Sequence, residues 1–240
     1  MTAAPLRGRV EMRDGRGFTL IEVLVATLLA VIVAAATLAI VIVSVHLTSN
    51  YTDRVDATQQ GRTVLEKITQ ALNSSCVSAS TPPILAASDD NDVWFYSSLT
   101  DSPTVTPNKV EISLSAGALV ENTYAWVSGT TPATWTFSST PTSFVLMQHA
   151  VADVVGGVTQ PVFRYYGYGS GGAIATSAYS ASSGLGATNA ATTAMVSIDY
   201  QALPTDNWSA NGRGTDFNGS VVLRLTPASS ASGATNTPCT

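Results

Sequence analysis

One carboxylate stands where the surrounding residues leave it no natural place. Glu22 is the only acid between Phe18 and Leu47, inside "GRGFTLIEVLVATLLA" and the apolar run that continues it. A charge held in lipid costs several kcal/mol unless a partner neutralises it. Glu22 therefore predicts a cation that meets it in some working state of the protein. Other reactive groups are few. Cys76 and Cys239 are the two cysteines, and neither has a CxxC partner or a nearby histidine, which argues against a metal site. His46 and His149 lack Ser–Asp or Cys–His company and are read as structural. No GxSxG, P-loop or HExxH pattern occurs. The chain is read as no enzyme, with no cofactor and no metal.

The element that positions Glu22 is a long helix. The thirty residues Phe18–Leu47 contain no Pro or Gly and, besides Glu22, only His46 as an ionisable group. At about 1.5 Å per residue such a run covers roughly 45 Å, more than a bilayer core and far longer than the apolar core of a cleaved secretory signal. Ahead of it, Arg7, Arg9, Arg13 and Arg16 outweigh Glu11 and Asp14, while the remainder of the chain carries a net charge of −7. A basic head before an apolar run orients the segment with its N-terminus cytoplasmic. The acidic remainder lacks the clustered Lys and Arg that a broad nucleic-acid surface needs. Only 11% of residues are charged, a polar but uncharged composition that suits an exported chain. In that setting two cysteines point to a disulfide rather than two free thiols. Pairing Cys76 with Cys239 would close a loop of about 160 residues, worth roughly 4–5 kcal/mol in the chain-entropy account.

Beyond Leu47 the helix is expected to continue. Tyr51, Val55, Leu65, Ile68 and Leu72 form one apolar face, with the charged residues largely elsewhere. Gly61 is the weak point, costing about 1 kcal/mol against Ala. The helix should fray near 73–75, and Pro82-Pro83 bars its return.

Gly15-Arg16-Gly17 followed by Phe18-Thr19-Leu20-Ile21-Glu22 resembles the processing signature of type IV prepilins and type II secretion pseudopilins. The resemblance implies a membrane-embedded prepilin peptidase that cuts between Gly17 and Phe18 and N-methylates Phe18. Cleavage leaves a positive amine on Phe18. In a filament, Glu22 of one subunit would meet the Phe18 amine of its neighbour, so the charge is costly alone and satisfied when docked. "DRVDATQQGRTVLEKITQALNSSC" and the later "VWFYSS", "QPVFRYYGYG" and "FNGSVVLRLTP" look like PulJ/PilW-type minor pilins. The implied fold is α+β and type IV pilin-like: one N-terminal helix over about 18–75 on a β-rich head of antiparallel strands. The implied domains are a leader 1–17, a transmembrane and filament-core helix 18–47, an amphipathic half 48–75 and an extracytoplasmic head 76–240. The implied partners are prepilin peptidase, major and minor pilins or pseudopilins, an inner-membrane assembly platform, and membrane lipid before assembly. The implied location is the cytoplasmic membrane, then a pilus or pseudopilus, priming or capping it. Major pilins often carry a Pro or Gly that lets the first helix half melt. Ala30–Leu47 has neither, so a continuous helix is expected.

After Pro83 the pattern has period two. Strands are expected at Val93–Ser98, Lys109–Ser115, Leu119–Ser128, Ala133–Ser138, Phe144–Gln148, Val162–Tyr168, Ala194–Ala202 and Ser220–Thr226. Gly167–Thr193 and the tail after Pro227 read as small, polar loops. "SDDND" at 88–92 is read as an Asx-rich turn rather than a Ca²⁺ loop, because the spacing of an EF-hand is missing. Tyr165, Tyr166, Tyr168, Tyr179, Trp208 and Phe217, with Arg164 and Arg213, could stack single-stranded DNA. Strand packing is the favoured reading of these aromatics. A DNA-uptake adaptor and a static membrane-anchored binding protein remain the alternatives to a filament subunit.

Overall fold

The computed structural model describes residues 19–77, 81–97, 106–204 and 214–223. The fold is α+β, with one long N-terminal helix and a β-rich head of antiparallel sheets. Helix α1 spans Leu20–Asn73 without a break. The chain divides into two compact units, one ending at Ser49 and one starting at Asn50.

In the first unit every described side chain is exposed, although most are apolar. The few hydroxyls are satisfied locally. Thr27, Thr37 and Ser44 donate to the carbonyls of Leu24, Ala34 and Ile40 at 2.9, 2.9 and 2.8 Å. A helix in lipid must meet its polar groups internally in this way.

In the second unit α1 buries Ala57, Gly61, Val64, Ile68 and Leu72, a stripe at steps of three and four. Part of the expected face is corrected here: Tyr51 is 72% exposed and Val55 36%, and the buried stripe of α1 starts only at Ala57. Two antiparallel sheets complete the core. Sheet 1 contains β1 (Asp92–Ser97), β2 (Asn108–Ser115), β3 (Ala118–Tyr124) and β6 (Thr142–Gln148), in the order β1-β2-β3-β6. Sheet 2 has β10 (Phe163–Gly167), β11 (Thr193–Ala202) and β12 (Thr215–Val222), with β7 (Ala150–Val151) also on β11. Val93, Phe95, Val110, Ile112 and Leu119 of sheet 1 meet Tyr165, Val196, Ile198, Tyr200 and Phe217 of sheet 2 and the α1 stripe in one cluster.

Several expected strands are revised. Leu119–Ser128 breaks at Ala125 into β3 and β4 (Trp126–Ser128). β4 pairs with β5 (Thr136–Phe137) in a separate ribbon, and Pro132–Thr134 forms a 3₁₀ turn where a strand was expected. Tyr96 stacks on Phe137 at 5.3 Å and meets Trp135 edge-on at 5.2 Å, so the ribbon covers aromatic side chains of sheet 1. β12 begins at Thr215, five residues before its expected start; residues from 224 lie outside the described ones. Residues 167–193 are more than a polar loop. They bury Ala181, Leu185 and Ala190 and include the short helix α2 (Ala187–Thr192). Backbone bonds from Leu185 to Ser88 and from Tyr179 to Tyr165, both 2.8 Å, tie the segment down. β8 (Val154–Val155) and β9 (Val158–Thr159) form a small hairpin over Gly156-Gly157, both at positive φ as the tight turn requires.

Gly61 has a reason beyond helix propensity. Its carbonyl accepts a 2.7 Å hydrogen bond from the buried Tyr200 hydroxyl, and a β-carbon there would overlap the Phe217 ring. Tyr200 stacks on Phe217 at 5.5 Å. The 88–92 segment is an Asx turn: the Asp89 carboxylate accepts from the N–H groups of Asn91 and Asp92 at 2.7 and 3.1 Å. The buried Tyr165 hydroxyl donates to the carbonyls of Asp89 and Asp92, at 3.0 and 2.7 Å. Burial, then the neighbouring Asp89, push the Asp92 carboxyl up to about 6, with Glu111 adding to the rise.

Two outcomes follow. Gly61→Ala should lose stability, by about 1–3 kcal/mol, instead of gaining the usual helix increment, as read from denaturant unfolding of the full chain in detergent. Asp92 binds its proton more tightly folded than unfolded, so its contribution is fully present below its ordinary value and is lost as pH rises through about 6. The melting temperature should therefore fall as pH rises from about 4 through about 6, and Asp92→Asn should flatten that dependence.

Candidate assembly site

The described chain opens on the site. Thr19 precedes α1, and its carbonyl accepts from the N–H groups of Glu22 and Val23 at 3.0 and 3.2 Å. Its hydroxyl oxygen accepts from the Glu22 N–H at 3.3 Å. Thr19 is thus the N-cap and Glu22 sits three residues on, the T-x-x-E pattern of a capped helix start. The sequence reading passed over this role of Thr19, although the spacing carries the signal. Glu22 is the acidic residue of the first turn, where the helix dipole presents partial positive charge. Its carboxylate stands exposed. The site therefore offers a negative group, held on a rigid capped turn, at the start of an uncovered apolar helix. What that arrangement can do chemically is accept a cation delivered by another molecule.

Gly17 and Phe18, the expected cleavage and methylation positions, lie outside the described residues, as does the leader 1–17. The expected pair of Glu22 with a Phe18 amine involves a second subunit. Cys76 is buried behind the end of α1, and its N–H donates to the Tyr96 carbonyl at 2.7 Å. It is not a free thiol. The expected partner, Cys239, lies outside the described residues.

The aromatics considered for base stacking divide clearly. Tyr165 and Phe217 are core residues, and Tyr179 packs against the core. Arg164 pairs with Asp199 at 3.5 Å. Burial pushes the Asp199 carboxyl up while Arg164 lowers it. Trp208 and Arg213 lie outside the described residues.

Residues 12–38 match the family model described as the prokaryotic N-terminal methylation motif. The chain thus carries the prepilin-type signal of type IV pilin-like proteins, on a helix long and apolar enough to cross a membrane. That signal supports a pilin-like processed subunit and points to a structural subunit rather than to a known enzyme family. Comparison with curated proteins returns no match.

A disulfide between Cys76 and Cys239 predicts a mass unchanged by alkylation of the denatured, unreduced chain. After reduction the same treatment should add two alkyl groups.

Proposed function

We propose that this chain is a minor pilin or pseudopilin subunit that primes or caps a type IV pilus or pseudopilus. Prepilin peptidase cuts between Gly17 and Phe18 and methylates the new N-terminus. The observation that carries the reading is the methylation motif over residues 12–38, set on a helix whose first turn exposes Glu22. Before assembly, lipid covers the apolar half of α1, with the N-terminus cytoplasmic and the head extracytoplasmic. On an inner-membrane platform the helix exchanges lipid for the helices of other pilins. Lipid is as apolar as the helices, so burial alone supplies little drive for that exchange. The Glu22 carboxylate supplies one: unpaired it is costly, and against the Phe18 amine of a neighbour it is neutralised. The uninterrupted helix favours a subunit that enters the filament unmelted.

The mass and N-terminal sequence of the chain recovered from its own cell envelope test this directly. N-methyl-Phe18 is the expected first residue. Glu22→Gln should leave cleavage and membrane insertion intact and lower the chain's share in sheared filaments or envelope pilin complexes at least tenfold. Recovery of an intact Met1–Gly17 leader beside an active prepilin peptidase would sink the reading and leave a static anchored head.

A further inference from the structure

The turn at 88–92 holds more than its own strand. The Asp90 carbonyl accepts from the N–H groups of Val162 and Phe163 at 2.8 and 3.1 Å, and the Asn91 carbonyl from Leu114 of β2 at 2.9 Å. The Ser88 carbonyl accepts from Leu185 at 2.8 Å, and the Ala86 carbonyl, just before the turn, from Gly186 at 3.2 Å. A further bond runs from the Tyr179 N–H to the carbonyl of Tyr165, the residue whose hydroxyl the turn holds. The stretch 179–192 thus hangs on this turn and on the tyrosine docked in it. Its own apolar contribution is small: of its buried residues Ala181, Leu185 and Ala190, two are alanines, and α2 has six residues and no side-chain cap. A cover that buries so little area sits at the low end of local stability.

Two carboxylates close the turn by capping each other's backbone. Asp89 accepts from the Asp92 N–H at 3.1 Å, and Asp92 accepts from the Asp89 N–H at 3.1 Å. Asp90 lies between them in sequence, and Glu111 of β2 adds negative charge from the neighbouring strand. The cations of the adjoining strands are engaged elsewhere. Arg164 of β10 pairs with Asp199, and Lys109 of β2 lies over the Trp94 and Tyr124 rings at 4.4 and 5.2 Å. From β10 the turn also meets Tyr165, whose hydroxyl burial pushes well up, so it remains a donor. Residues 180–192 contain no ionisable side chain. With a proton on Asp92 the two capping groups meet without repulsion; without it, like charges face each other across one turn.

We propose that the 88–92 turn is a proton-operated latch: loss of the Asp92 proton to solvent opens the turn and releases the 179–192 cover as a unit, while the strands of both sheets stay paired. Opening separates the Asp89 and Asp92 caps and removes the two carbonyls that hold the Tyr165 hydroxyl. The ties from Leu185 to Ser88 and from Tyr179 to Tyr165 then go together, and the core beneath Ala181, Leu185 and Ala190 is uncovered. Burial first, and Asp89 second, raise the Asp92 carboxyl to about 6, which sets the window. The cover is held most firmly below the ordinary carboxylate range and is freed as pH rises through about 6. The latch operates within the head, whether or not the chain enters a filament.

The test is amide hydrogen exchange of the full-length chain in detergent at pH 5 and pH 7, each rate divided by the intrinsic rate at that pH. The peptide covering 181–192 should lose protection about tenfold from pH 5 to pH 7, while a peptide covering 194–200 of β11 changes by less than about twofold. Asp92→Asn should keep the cover closed at both values. Asp89→Asn retains an acceptor oxygen for the turn but removes the neighbouring charge, so it should move the midpoint of the loss to lower pH. Equal protection of 181–192 at the two pH values overturns the proposal. So does an equal loss in the β11 peptide, which marks global unfolding, or a pH dependence that neither substitution changes.

Discussion

A helix can lie close against a sheet only where neither presents a side chain that holds them apart, and in this head that condition is met at Gly61. The missing β-carbon lets the Phe217 ring sit against the helix backbone and brings the Tyr200 hydroxyl to the Gly61 carbonyl. Leu65, one turn on, makes the reciprocal approach, since a β-carbon at Gly219 would come within 2.9 Å of it. Through these contacts β11 and β12 seat on α1. The stripe from Ala57 to Leu72 is then continuous with the inner faces of both sheets. The loss of helix propensity at a glycine is a local cost that this packing offsets.

The same helix serves two surroundings. Up to Ser49 its described side chains are exposed, and the hydroxyls of Thr27, Thr37 and Ser44 bond back to its own carbonyls. From Ala57 onward only one stripe is apolar and buried. Glu22 belongs to the first regime and is the exception within it. A capped turn fixes its position, and the helix dipole favours its charge. Neither removes the cost of placing a carboxylate at an apolar surface, so the arrangement has its lowest free energy when a cation from elsewhere meets it.

The acidic turn at 88–92 shows how packing turns a flexible-looking segment into a junction. Its side chains close an Asx turn, and its carbonyls receive the Tyr165 hydroxyl and the N–H groups of Val162 and Phe163. β1 of sheet 1 and β10 of sheet 2 are joined through it. Burial, then the charge of Asp89, raises the proton affinity of Asp92, which makes the junction sensitive to pH.

What the sequence determined by itself is what neighbouring residues decide. The unbroken apolar run, the basic residues before it, Glu22 and the T-x-x-E start are all local. So is the alternation of "KVEISLS", which puts Val110 and Ile112 inward and Lys109 and Glu111 outward. The class of fold and the prepilin signal could be read from them. Only the tertiary structure decided why Gly61 stands in the helix, since its partners Tyr200 and Phe217 are well over a hundred residues away. It also decided that Ala181, Leu185 and Ala190 are core residues in a stretch whose composition reads as loop, and that β6 is left at an edge of its sheet. Period and composition report which side chains prefer burial. They carry no information about which distant surface arrives to bury them, or which strand is left without a neighbour.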